Sequence, residues 1–293
     1  MQKITPFLWF DNNAEEAANF YVSVFRDSKV GRITYYGEAG PAPKGTVMTV
    51  DFQLEGQTFT GLNGGPHFKL TPAVSFYVAC ETAKEVDALW QKLSEGGSVL
   101  MELAKYPFSE KFGWVADKYG LSWQLNLAAF PQKISPCLMF VGDQNGKAED
   151  AMKFYTSRFN NSSIDRVERY AAGEGGTEGA VKHGVFSLDG QKFIAMDGGT
   201  NHPFTFTEAQ SFVVDCKTQE EVDEFWQKLS EGGQESQCGW LKDKYGLSWQ
   251  ITPTILIEML QDKDAEKAKR VMEAMMQMAK IDIPTLQRAY DGR

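Results

Sequence analysis

The eight residues Trp90-Gln-Lys-Leu-Ser-Glu-Gly-Gly97 recur unchanged as Trp226 to Gly233, and Asp117-Lys-Tyr-Gly-Leu-Ser-Trp-Gln124 recur as Asp243 to Gln250. Two identical octapeptides in the same order mean tandem duplication, so the chain is expected to build one structural unit twice. Earlier in the copies, Phe20-Tyr21 answers Phe154-Tyr155, Gly56-Gln57 answers Gly190-Gln191, and Gly64-Gly65 answers Gly198-Gly199, all at one constant offset. The copies are placed at 1–130 and 131–256, leaving a tail at 257–293. Ser98 to Phe112 in the first copy faces only Gln234 to Cys238 in the second, which reads as a difference in loop length.

Within each copy the hydrophobic period alternates between that of a helix and that of a strand. Ala17, Phe20, Tyr21 and Val24 fall on one helical stripe, as do Val86, Leu89, Trp90 and Leu93, and again Val222, Phe225, Trp226 and Leu229. Strand-like runs surround them: Ile4 to Phe10, Thr46 to Leu54, Thr58 to Leu62, Ala73 to Val78, and Leu121 to Leu127, with hairpin signals such as Asp189-Gly190. Each copy reads β-α-β-β-β twice, an α+β class. In the tail a helical stripe of Ala268, Val271, Met272, Met275 and Ala279 ends near Pro284. That stripe suits packing on the body or a homodimer through the C-terminal helix.

At 293 residues and 42% hydrophobic content the chain can bury substantial cores. A formal charge of −9 argues against nucleic acid as a partner, because the phosphate backbone would be repelled. The four cysteines lack zinc-type spacing, no run is apolar enough to cross a membrane, and no signal peptide precedes Asp11. A cytoplasmic protein with reduced thiols is expected.

Three features carry a family resemblance: the paired modules, the first strand followed by Ala14-Glu-Glu-Ala17 and Phe20-Tyr21, and the closing Asp117 to Gln124 peptide. With them the chain resembles the vicinal oxygen chelate superfamily of glyoxalase, bleomycin-resistance and extradiol dioxygenase proteins. Leu62-Asn-Gly-Gly-Pro-His-Phe68, Cys80-Glu-Thr with Glu85-Val-Asp87, and Cys238 to Gln250 make it similar to the PhnB-like group described as 3-demethylubiquinone-9 3-methyltransferase. The resemblance implies four modules paired into two curved mixed sheets, each half-wrapping a small-molecule cleft.

It also implies metal ligands on first and last strands of the modules, where this sequence is poor in donors. Ile4, Thr5, Pro6, Ile134, Ser135 and Pro136 occupy first strands, and the closing carboxylate is replaced by Gln124 and Gln250. No metal and no cofactor are expected. The glycine-rich stretches Gly37 to Gly45 and Gly173 to Gly176 read as hairpin loops, so the methyltransferase description gains no support from them.

The candidate ligand-binding residues are Asn63, Phe108, Gln124, His183, Asp197 and Gln250. Because Asp189-Gly190 closes a two-residue turn, His183 is expected opposite Met196, with Asp197 on the other sheet face. Phe108, with Tyr106 and Phe112, is expected to lid an apolar ligand in the first copy, while Asp197 and His183 suit a polar one in the second. The leading reading is a metal-independent small-molecule-binding protein, or an enzyme of unassigned reaction. Alternatives are a metal-dependent glyoxalase or dioxygenase and a sequestering resistance protein.

Overall fold

The structure, a computed structural model, describes residues 2–293. The first module comprises β1 (Ile4–Phe10), α1 (Ala14–Val24), β2 (Lys29–Tyr35), β3 (Val47–Leu54) and β4 (Gln57–Asn63). The second comprises β5 (Val74–Cys80), α2 (Ala83–Ser94), β6 (Ser98–Tyr106), β7 (Ser109–Ala116) and β8 (Ser122–Leu127). The third comprises β9 (Ile134–Val141), α3 (Ala148–Thr156), β10 (Ser163–Arg169), β11 (Val181–Leu188) and β12 (Gln191–Gly199). The fourth comprises β13 (Gln210–Cys216), α4 (Gln219–Ser230), β14 (Gln234–Glu235), β15 (Trp240–Lys242) and β16 (Ser248–Pro253). Helices α5 (Thr254–Leu260), α6 (Ala265–Met276) and α7 (Ile283–Asp291) complete the chain. No helix among the described residues is long and apolar enough to cross a membrane.

Local chemistry sets these elements. Thr82 accepts the Glu85 backbone N–H at 3.2 Å while the Glu85 carboxylate accepts the Glu81 N–H at 2.9 Å, tying off the first turn of α2. Thr218 and Glu221 repeat this at α4. Positive φ at Glu55-Gly56 and Asp189-Gly190 makes the two-residue turns that join β3 to β4 and β11 to β12.

Each sheet combines one module from each copy. The first runs β14-β15-β16-β13-β1-β4-β3-β2, the second β10-β11-β12-β9-β5-β8-β7-β6. The junctions are antiparallel, Phe7 opposite Ser211 in the first sheet and Cys137 opposite Ser75 in the second. The cores, by contrast, follow the copies. Tyr21, Phe52, Phe59, Phe76 and Trp123 fill one, and Tyr155, Phe186, Phe193, Phe212 and Trp249 fill the other, each between the helix-side faces of two sheets.

The repeated Asp117 to Gln124 peptide is a knot in each core. Asp243 accepts the backbone N–H groups of Tyr245 and Leu247, the Trp249 indole N–H at 2.8 Å and the Tyr155 hydroxyl at 2.8 Å. Asp117 accepts from Tyr119, Leu121 and Trp123 in the same way. A carboxylate excluded from water persists only when so many donors replace its hydration.

Two sequence expectations change. The segment 98–112 is no loop: it belongs to the long hairpin β6–β7, whose pairing reaches Tyr106 opposite Ser109 and leaves Phe108 at the tip. Helix α5 follows β16 directly, and Pro284 opens α7 behind an Asp282 cap instead of breaking a helix. Val271 is buried with Leu256, Met259, Ile281 and Leu286 in a small core of the tail's own, against which Met275 of the same stripe packs.

Candidate functional site

Strand alternation gives each sheet a helix side and an open side. In the first sheet Leu8, Phe59, Phe212 and Trp249 turn to the helices. Phe7, Trp9, Ser211, Trp240, Ser248 and Gln250 turn to the open side. There Trp240 meets Phe7 and Trp9 edge-on at centroid distances of 5.9 and 6.3 Å, and Phe68 closes on Trp9 at 5.0 Å. Trp9, Phe68 and Trp240 border a pocket of about 280 Å³ shared between the first and fourth modules. Ser248 and the Lys242–Glu208 ion pair, at 2.7 Å, supply polar lining, and Gln234, Ser236, Gln237 and Cys238 form a further, largely polar wall.

The tail braces that wall. Cys238 and Gly239 donate backbone N–H bonds to the carbonyls of Met278 and Ala279, each at 2.7 Å. At the far edge of the same sheet, Arg32 of β2 donates to Gln261 at 2.8 Å and pairs with Asp51 at 3.0 Å. The C-terminal segment therefore joins both edges of the first sheet, while the second sheet has no equivalent.

On the open side of the second sheet Tyr77 and His183 lie 6.5 Å apart between ring centroids. Their strands stand three spacings apart in the sheet order, roughly 14 Å, so the sheet curls and the side chains lean together. Burial and the Arg166 guanidinium, whose nitrogen is 3.5 Å from Nδ1, hold the His183 imidazole below its usual range and neutral at pH 7. Asn126 donates to the Tyr77 hydroxyl at 2.8 Å, and Ala79, Ile194, Met196 and Phe130 make the surroundings apolar. Burial pushes the Cys137 thiol up to about 12, so it is no nucleophile at neutral pH.

Of the residues singled out from sequence, Gln124 and His183 share the second sheet's open side although they come from different copies. Gln250 lies on the first sheet's open side. Each glutamine donates to a serine on the neighbouring strand, Gln124 to Ser75 at 2.9 Å and Gln250 to Ser211 at 3.0 Å. Phe108 is 56% exposed and stacks on Tyr106 at the hairpin tip.

Asn63 and Asp197 face the helices. Asn63 accepts the Ala14 N–H at 2.8 Å, pinning the start of α1. Asp197 accepts the N–H groups of Gly146 and Ala148 at the start of α3, and that of Val181. Its carboxylate thus satisfies backbone donors at the N-terminus of α3. The alternation that put Asp197 opposite in sense to His183 holds in the register, since Gly184 pairs with Ala195.

Sequence reading passed over Trp9, Phe68 and Ser248. The signal for Trp9 was present: β1 is apolar on both alternations, Leu8 and Phe10 on one and Phe7 and Trp9 on the other, which no half-solvated strand requires.

The family model for 3-demethylubiquinone-9 3-methyltransferase matches residues 2–126 and again 132–252. The chain belongs to this family. It carries the family unit twice, and its modules have the vicinal oxygen chelate fold. A putative 3-demethylubiquinone-9 3-methyltransferase, PhnB protein, from Bacillus cereus is 51% identical over 43% of this chain and 100% of its own, with a TM-score of 0.41. A Staphylococcus aureus protein is 35% identical over 44% of this chain and 98% of its own, with a TM-score of 0.19. Glyoxalase I from Zea mays, at 11% identity, covers 84% of this chain and 89% of its own with a TM-score of 0.55, a likeness of fold. No curated protein matches.

Within the family fold, the positions facing inward at the module junctions are Phe7, Ser211 and Gln250 in the first sheet and Ser75, Gln124 and Cys137 in the second. Among the described residues no group of three or more His, Cys, Asp or Glu side chains is arranged to hold a metal ion. The glycine-rich stretches 37–45 and 173–176 join β2 to β3 and β10 to β11, both antiparallel pairs, whereas a nucleoside-binding turn joins a parallel strand to a helix.

Proposed function

We propose that this chain binds a small, largely apolar aromatic molecule on the open side of its first sheet, without a metal ion. The observation that carries the reading is the pocket bordered by Trp9, Phe68 and Trp240. At about 280 Å³ it lies near the lower limit of small-molecule sites and suits a one- or two-ring compound. Three aromatic walls with a few polar groups are the chemistry such sites use: area burial supplies affinity and the polar groups supply orientation. The donor set also supports a metal-free site, since Gln250 and Gln124 are neutral amides already bonded to serines.

The test is a thermal-shift titration with naphthalene as the probe. Wild-type protein and Tyr77→Phe should both be stabilised, and Trp240→Ala should not be. Equal shifts in wild type and Trp240→Ala would remove the pocket from consideration.

A further inference from the structure

The two copies of Asp-Lys-Tyr-Gly-Leu-Ser-Trp-Gln are identical, yet their serines differ in state. Ser122 accepts the indole N–H of Trp114 at 2.7 Å. Ser248, its counterpart, is fully buried, and its hydroxyl has no hydrogen-bond partner among the described residues. The pairing register is the same in both places, Trp114 opposite Gln124 and Trp240 opposite Gln250, so backbone position does not separate them.

The neighbouring first strand does. Phe7 lies opposite Ser211, and the residue opposite the equivalent Ser75 is Cys137. Trp240 therefore finds Phe7 and Trp9 to pack against, whereas the corresponding places beside Trp114 hold Cys137 and Met139. Trp240 makes edge-to-face contacts with Phe7 and Trp9 instead of a hydrogen bond to the serine, and Ser248 is among the residues that line the pocket. Buried hydroxyls without partners are rare and cost free energy, so one that lines a cavity marks where a ligand's polar atom belongs.

We infer that Ser248 is the specificity-determining hydrogen-bond donor of the pocket, and that the molecule bound there is planar and aromatic with an acceptor oxygen, such as a ring carbonyl, set over Ser248 Oγ. This rests on the pocket being the binding site proposed above. Ligands without that oxygen would leave the hydroxyl buried and unpaired, which is how a polar group discriminates more sharply than added apolar area.

Coumarin and naphthalene serve as probes of similar shape, the first with a lactone carbonyl and the second with no polar atom. Their dissociation constants would be measured by tryptophan fluorescence for wild type, Ser248→Ala, Ser122→Ala and Trp240→Ala. Coumarin should bind wild type about tenfold tighter than naphthalene, the worth of one hydrogen bond. Ser248→Ala should lose that preference while still binding naphthalene, which also certifies its fold, and Ser122→Ala should keep it. Trp240→Ala should bind neither probe well. Equal binding of the two probes to wild type, or a preference that survives Ser248→Ala, overturns the role of Ser248 and leaves the pocket standing. Failure of wild type to bind either probe overturns both.

Discussion

The indole N–H of Trp249 reaches Asp243 Oδ2 at 2.8 Å in a core from which water is excluded. Burial pushes the Asp243 carboxyl up from its usual 3.8 to about 6, against the four donors that pull it down. Between these values the folded protein holds a proton that the unfolded chain has released. The associated stability is fully present below about pH 4 and is lost as pH rises through 6. Relative to Asp243→Asn, wild type should lose on the order of 3 kcal/mol between pH 4 and 7, as read by denaturant unfolding. Parallel profiles for the two proteins would show that this carboxyl is not the group responsible.

Asp197 should behave as a structural residue. Removing a carboxylate that accepts three backbone N–H groups leaves two of them, those of Ala148 and Val181, buried without a partner, so Asp197→Ala should cost about 2–4 kcal/mol in chemical denaturation. Naphthalene binding per folded molecule should be unchanged. A ligand affinity that falls with stability intact would return Asp197 to the site.

Protein purified without added metal should carry well under one divalent ion per chain by elemental analysis, and chelator should leave its melting temperature where it was. Gln124 and Gln250 offer only neutral amides, whose nitrogens donate to the hydroxyls of Ser75 and Ser211. Stoichiometric zinc, nickel, manganese or iron would contradict this.

Gly239 has φ +82°, and a Cβ there would lie 2.8 Å from the Ile251 carbonyl and 3.2 Å from Ile281. Gly239→Val should therefore displace the tail from β15, at a cost of more than about 2 kcal/mol. Because the tail holds the wall next to the pocket, limited proteolysis should release the C-terminal helices from this variant first. Cleavage rates equal to wild type would mean that the tail is held elsewhere.

Much of the fold was legible in the sequence because periodicity and repetition are local properties. The helical stripes through Tyr21, Leu89 and Trp226, the hairpin at Asp189-Gly190 and the opposed senses of His183 and Asp197 all follow from counting along one strand or helix. The segment 98–112 reads as a loop because its alternation is interrupted by register shifts, each of which inserts a residue and erases the period of two. Asn63 and Asp197 are legible in the sequence as polar candidates for orienting a ligand. The bonds by which they hold the starts of α1 and α3 reach residues far away in sequence, and nothing local announces them.

The sequence by itself determined that one α+β unit is built twice, that its modules are β-α-β-β-β, and which faces of most helices are buried. Only the tertiary structure decided that each sheet draws a module from both copies, so that Gln124 and His183 share one open face while Trp9 and Trp240 share the other. Pairing across copies is a long-range choice between equivalent strand edges, and identical repeats cannot encode which partner is taken. Ser122 and Ser248 make the same point at atomic scale. They stand in identical octapeptides, and one hydroxyl is satisfied while the other faces a cavity because strands far away in sequence carry Cys137 in one place and Phe7 in the other.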